Sequence, residues 1–100
     1  MVIQKWKQFE KKLGKEFEGK RQKGSGNLWH TPGDISNKKF LIEAKQTSKF
    51  SYSISRKTWQ KIYNEALFSY RLPLLALLLG DIELVILDKN DFLQLIKDLK

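Results

Sequence analysis

The chain has 100 residues, no cysteine and one histidine, and its 19 Lys/Arg residues against 11 Asp/Glu residues give a net charge of +8. This length fits one domain with one modest core, so we treat residues 1–100 as a single domain. The lack of cysteine excludes disulfides, thiolate catalysis and cysteine-ligated zinc, and one histidine excludes a histidine cluster.

The first half of the chain predicts one helix and three short strands. Apolar residues at three- and four-residue spacings predict an amphipathic helix over residues 3–18, which ends at Gly19. The glycine-rich basic segment that follows predicts a brief strand and then a flexible loop. Residues 34–36 and 40–46 predict a hairpin, because the intervening Asn-Lys-Lys favours a turn.

The second half begins with a predicted helix over residues 55–70, with Ser55 as its N-cap. Two apolar runs, 74–79 and 82–87, then predict core strands joined by a turn at Gly80-Asp81. The apolar face expected for the helix comprises Trp59, Ile62, Tyr63, Ala66, Leu67 and Tyr70.

A final amphipathic helix is predicted after Asn90 and Asp91, which we expect to cap it. The predicted order is α-β-β-β-α-β-β-α, an α/β fold. The most apolar stretch is interrupted by Pro73 and is far shorter than the roughly 20 residues of a membrane-spanning helix. The N-terminal segment has no continuous apolar core of the signal type. We therefore expect a cytoplasmic protein with no membrane segment.

The basic excess lies entirely in the first part of the chain. Residues 1–60 hold fourteen Lys/Arg and five Asp/Glu, whereas residues 61–100 hold five and six. Such segregation suits a phosphate-rich partner, because each neutralised phosphate releases counterions. Solubility alone would not require it. The charge pattern therefore favours a nucleic-acid partner.

Two carboxylates and an amine are predicted to converge on one face of the hairpin. Glu43 and Lys45 lie two residues apart in a strand, so their side chains project together while Ile42 and Ala44 face the other side. If the hairpin turns as predicted, Asp34 lies opposite Glu43. This arrangement predicts a metal site with a cation beside it.

Close carboxylates repel each other unless a hard divalent cation such as Mg²⁺ or Mn²⁺ takes their oxygens as ligands. The ion can polarise a phosphodiester and activate water, while Lys45 offsets the charge that develops in the transition state. The alternatives are an exposed ion pair between Glu43 and Lys45, and a turn aspartate at position 34.

The same residues resemble a known family. Gly33-Asp34, followed after eight residues by Glu43-Ala44-Lys45, resembles the GD...E-x-K core of PD-(D/E)XK nucleases, with Gly33 where the family name has proline. The leading helix and the segment 20–26 resemble the helix and R-x-x-G-S-G loop of archaeal and phage Holliday junction resolvases. The resemblance covers about residues 6–80.

This resemblance implies a restriction-endonuclease-like fold, a mixed β-sheet flanked by helices. It implies a helix glutamate in the metal shell, which by position points to Glu10, with Glu16 and Glu18 as rivals. It also places Ser25 near the scissile phosphate as a catalytic and DNA-binding residue. The full metal shell that it implies is Asp34, Glu43, Ala44 and Glu10.

The predicted activity is Mg²⁺- or Mn²⁺-dependent endonuclease cleavage of branched DNA by a homodimer, with Phe68, Tyr70 and the last helix as candidate dimer contacts. A cellular or a phage origin is equally compatible with the sequence. The alternatives are a non-catalytic nucleic-acid-binding module of the same fold and an RNA-binding protein, although clustered carboxylates would repel RNA. The candidate DNA contacts are Arg21, Lys23, Ser25, Gln46, Arg56, Lys57 and Lys61.

Overall fold

The computed structural model of the chain describes residues 5–21 and 35–100. They form eight elements in the order α-β-β-β-α-β-β-α, which confirms the predicted order. The helices are α1 (Lys5–Glu16), α2 (Arg56–Phe68) and α3 (Lys89–Asp98). The strands are β1 (Lys20–Arg21), β2 (Ile35–Ser36), β3 (Phe40–Thr47), β4 (Leu72–Leu79) and β5 (Ile82–Ile86).

The five strands make one mixed sheet in the order β1-β2-β3-β4-β5. Strands β3 and β4 pair in parallel, and the other neighbours pair antiparallel. A parallel pair needs a long crossover, and α2 provides it between β3 and β4. A mixed sheet flanked by helices is the architecture that the sequence predicted.

Each face of the sheet is covered by a different helix. On one face, α1 packs against β1, β2 and β3, and the core there is made of Phe9, Leu13, Ile35, Ile42, Leu74 and Ala76. On the other face, α2 lies against β3 and β4. There Ile62 and Ala66 of the helix are buried, as are Leu41, Leu75 and Leu77 of the strands. Alternation along β3 therefore decides which helix each of its side chains meets.

The β2–β3 turn is fixed by one side chain. The Asn37 Oδ1 accepts hydrogen bonds from the backbone N–H groups of Lys39 at 2.9 Å and Phe40 at 2.7 Å. This arrangement is the usual reason for asparagine in a turn. It sets the hairpin register, in which Ile35 pairs with Ile42 and Ser36 with Leu41. The predicted hairpin is confirmed at the residues that the structure describes.

Three details of the second half differ from the sequence-based expectation. On α2 only part of the expected apolar face is inside, because Tyr63, Leu67 and Tyr70 are exposed. Strand β5, predicted as a core strand, has four of its five residues exposed because α1 and α2 lie mainly over the other strands. The N-cap of α3 is Asp88, whose Oδ1 accepts from the backbone N–H groups of Asn90 and Asp91.

Among the described residues, no helix is both long enough and apolar enough to span a membrane. Helix α3, described over its whole length, has no buried residue. Its apolar side chains Phe92, Leu93 and Ile96 are exposed.

Candidate active site

Glu43 and Lys45 are neighbours on the α2 side of β3. The Lys45 Nζ lies 3.5 Å from the Glu43 Oε2, and the side chains are 40% and 16% exposed respectively. Strand alternation explains this pairing, since residues two apart share a face and Ile42 and Ala44 belong to the core on the other face. A mostly buried carboxylate therefore has a cation beside it at the boundary between core and water.

The surroundings of the pair are apolar on one side. In the parallel register Glu43 is level with Leu75, and Lys45 is level with Leu77, both of which are buried under α2. Apolar neighbours lower the local dielectric, so the two charges interact more strongly than at an open surface. Such a setting suits stabilisation of a charge that develops on a bound substrate.

Several candidate residues lie outside the described part of the chain. These are Asp34, Ser25 and Lys23, and the side chain of Arg21, whose backbone forms part of β1. Their proposed roles stay predictions. The described hairpin pair closest to this segment is Ile35 with Ile42.

The three candidate glutamates of the first helix differ in burial. Glu10 is only 7% exposed, whereas Glu16 and Glu18 are exposed. Glu10 is carried by α1, which packs on the face opposite to the one from which Glu43 projects. Burial of the side chain thus distinguishes Glu10 from Glu16 and Glu18. Helix α1, however, lies on the face of the sheet opposite to the Glu43–Lys45 pair.

Ligands for a metal ion are only partly present in the described region. No group of three His, Cys, Asp or Glu side chains comes together among residues 5–21 and 35–100. The Ala44 side chain is a methyl group that packs against the α1-side core, and the oxygen that this residue could offer is its backbone carbonyl. The donors that are present, carboxylates and a carbonyl, are the oxygen ligands that hard divalent cations prefer.

Basic side chains are exposed along the first half of α2. Arg56, Lys57 and Lys61 line a shallow groove together with Gln60 and Asn64. Lys61 also lies 4.0 Å from Glu65, one helical turn further on. Such a row can follow a phosphate backbone without reading bases. Gln46 is on the other face of β3, level with the half-buried Leu78, so it is separated from this row.

Phe50 has no role in the sequence-based prediction, yet its ring is fully exposed in the loop between β3 and α2. The signal in the sequence is an aromatic residue within a serine-rich segment that also contains Lys49, where an apolar core contact is not expected.

Known proteins match this chain in fold. No protein-family model matches the sequence, and no curated protein sequence matches it. Among solved structures, the chain is similar to Hjc of Archaeoglobus fulgidus, a Holliday junction resolvase from an archaeal hyperthermophile. The two share 23% sequence identity and a TM-score of 0.60 over 75% of this chain and 68% of the resolvase. The likeness shows that this chain has a resolvase-like fold.

Proposed function

We propose that this protein is a metal-dependent endodeoxyribonuclease of the PD-(D/E)XK type that cleaves branched DNA, such as a Holliday junction, as a cytoplasmic homodimer. The observation that carries the proposal is the Glu43–Lys45 pair on a central strand of a resolvase-like sheet. A fold alone does not determine an activity, so the argument depends on these side chains.

The hairpin register supports the choice of Asp34 as the second carboxylate. Ile35 pairs with Ile42 in an antiparallel ladder, and we propose that Asp34, the preceding residue, continues this register opposite Glu43. Directly opposed residues of an antiparallel pair project from the same face. We therefore propose that Asp34 and Glu43 act together beside Lys45.

We propose Asp34 and Glu43 as the residues that hold Mg²⁺ or Mn²⁺, with the Ala44 carbonyl as a further oxygen. One or two carboxylates suffice for Mg²⁺, because it keeps several waters and takes the remaining oxygens from a substrate phosphate. When bound, such an ion acts as a Lewis acid on the phosphoryl group and lowers the pKa of a coordinated water.

Lys45 has a separate role in this proposal. Its ammonium group, 3.5 Å from the Glu43 carboxylate, is held at the edge of the apolar layer formed by Leu75 and Leu77. A fixed cation in this position stabilises negative charge on the phosphoryl oxygens during displacement of the leaving group. It also orients the attacking water through a hydrogen bond from its N–H groups.

Glu10 is our proposed helix member of the site. It is the buried candidate, and a carboxylate is retained in a protein interior only where a cation or hydrogen-bond donors compensate it. Glu16 and Glu18 are exposed and have no such requirement. Because α1 covers the face of the sheet opposite to the Glu43–Lys45 pair, we propose that Glu10 supports the site from that opposite face.

We propose that two copies meet through the apolar surface left open by the second half of the chain. Residues 61–100 hold five basic and six acidic residues, so two copies can meet there without strong repulsion, unlike the basic first half. Exposed apolar side chains in number are a common mark of such contacts. The exposed side chains are Leu67, Phe68, Tyr70, Ile82, Leu84, Val85, Phe92, Leu93, Ile96 and Leu99.

The test is cleavage of a labelled four-way junction and of a matched linear duplex in Mg²⁺, Mn²⁺ or EDTA, with the wild type, Asp34→Asn and the turn control Asp81→Asn. We expect metal-dependent, symmetric cutting of the junction that Asp34→Asn abolishes and Asp81→Asn retains. If DNA is bound in a salt-sensitive manner but not cut with any metal, a non-catalytic nucleic-acid-binding module replaces this proposal.

A further inference from the structure

The loop that joins β3 to α2, residues 48–55, presents the Phe50 ring wholly to solvent. Exposure of one apolar side chain would carry little weight by itself. The loop that carries Phe50 is held at both ends, contains Lys49 and no acidic residue, and follows the strand that carries the Glu43–Lys45 pair. Together these properties indicate what the ring contacts.

Both ends of this loop are held by hydrogen bonds. At its start, the Thr47 Oγ1 accepts from the Lys49 N–H at 3.1 Å, and the Thr47 carbonyl accepts from the Gly80 N–H at 2.8 Å. At its end, the Ser55 Oγ accepts from the Thr58 N–H at 3.0 Å as the N-cap of α2. Phe50 is thus presented from an anchored loop.

Along the sequence, the charged residues on either side of Phe50 are basic. From residue 44 to residue 64 the chain has no Asp or Glu, and the loop itself contains four serines. Basic and hydroxyl side chains are the usual donors to phosphate oxygens. A second copy would bring the same positive charge against this loop, so a polyanion is the better occupant. The basic residues of this segment are Lys45, Lys49, Arg56, Lys57 and Lys61.

Phe50 lies three residues after the end of β3, the strand that carries the proposed site. Strand β3 ends at Thr47, and a strand rises about 3.3 Å per residue, so Ser48 lies on the order of 10 Å from Lys45. That span equals about three stacked base pairs at about 3.4 Å each. A strand of DNA that is held at Lys45 and runs along β3 would reach the β3–α2 loop within a few nucleotides.

We propose that Phe50 stacks on an unpaired base of the bound DNA, and so makes the protein prefer branched or locally open DNA over continuous duplex. An aromatic ring offers a stacking platform to any base, but a paired base within a duplex already has both faces covered. Lys49 and the basic start of α2 hold the adjoining phosphates. This inference depends on the proposed action on DNA and adds a recognition residue to it.

The experiment measures equilibrium binding in EDTA, which prevents cleavage, to three labelled DNAs: a linear duplex, the same duplex with three central unpaired bases, and a four-way junction. We compare wild type, Phe50→Ala, Phe50→Trp and Lys49→Ala. Phe50→Ala should bind the two open DNAs about 5- to 150-fold more weakly and the duplex as the wild type does. Phe50→Trp should bind the two open DNAs as wild type does. Lys49→Ala should weaken binding to all three DNAs by the same factor.

The possible outcomes separate this inference from the proposed function. If wild type binds none of the DNAs, the proposed function fails and this inference fails with it. If wild type binds DNA and Phe50→Ala binds each of the three DNAs as tightly as wild type does, only the role of Phe50 is overturned. Sedimentation of Phe50→Ala is measured in parallel, and a change in oligomeric state would make Phe50 a contact between copies and overturn the inference too.

Discussion

The Lys45 ammonium lies 3.5 Å from the Glu43 carboxylate, on a strand whose opposite face belongs to the hydrophobic core. The same two residue types form a second pair elsewhere, where the Lys12 Nζ lies 2.7 Å from the Glu83 Oε2 and both side chains are about half exposed. Glu83 raises the pKa of Lys12 above its ordinary value, first through their hydrogen bond and then through its charge. Substituting the lysine of each pair can therefore distinguish a catalytic role from a contribution to stability at the surface.

Lys45→Met should lower the cleavage rate on a four-way junction by about 10² to 10³-fold, because it removes a fixed cation that stabilises transition-state charge. Lys12→Met is the matched control, since it breaks a shorter ion pair in an exposed setting where such pairs contribute little. Single-turnover rates for both variants provide the measurement. Equal rates for Lys45→Met and wild type would remove Lys45 from the mechanism.

Local rules predicted the features that short-range chemistry decides. The turn at Asn37 and the N-cap at Ser55 both depend on side-chain hydrogen bonds to nearby backbone groups, which can be read from three or four residues. The shared face of Glu43 and Lys45 follows from strand alternation alone. These predictions required no knowledge of which elements pack together.

Tertiary context decided what the sequence did not show. The apolar run of β5 is typical of a core strand, but nothing in a single strand says whether a second layer covers it. Strand β4 spans Leu72–Leu79 and so includes Pro73. The Leu72 N–H donates to the Lys39 carbonyl on the β3 side, so the nitrogen of Pro73 is on the β5 side. Strand β5 pairs with β4 only from Leu75 onward, so the missing N–H of proline costs no ladder bond there.

Glu10→Gln should reduce cleavage and raise the Mg²⁺ concentration needed for half-maximal rate, by about 10- to 100-fold, the usual effect of a supporting residue at a metal site. Glu16→Gln is the control, because Glu16 is on the same helix and exposed. Rates are measured across a Mg²⁺ titration, with thermal unfolding to verify that Glu10→Gln is folded. A similar loss in both variants would mean that the helix glutamates act only through general charge.

Replacing Arg56, Lys57 and Lys61 with glutamine should weaken binding to every DNA structure and flatten its dependence on salt. The slope of log K against log salt should fall by about 0.9 for each phosphate of duplex DNA that the variant no longer neutralises. Lys89, Lys97 and Lys100 replaced together with glutamine provide a control of equal charge on and beside α3. If both triple variants have the same slope, the α2 groove has no special role in holding phosphates.

Tyr70 combines backbone strain with exposure, which makes it a test of the proposed dimer. It has φ of 59° at the end of α2 and is 95% exposed. Glu18 has a similar conformation, with φ of 52°, at the end of α1. In both places the next residue closes the helix with a backbone bond, from the Arg71 N–H to the Ala66 carbonyl and from the Gly19 N–H to the Gly14 carbonyl.

A left-handed conformation is unfavourable for a residue with a Cβ, so Tyr70→Gly and Glu18→Gly should each stabilise the folded chain by about 0.5 to 1 kcal/mol, after the added freedom of glycine in the unfolded state is counted. Only Tyr70→Gly should also weaken self-association, because it removes an exposed aromatic side chain from the proposed dimer surface. Chemical denaturation measures the first effect and sedimentation equilibrium the second. If Tyr70→Gly dimerises as tightly as Glu18→Gly, Tyr70 is not part of the contact, and the exposed residues of β5 and α3 remain as the surface to test.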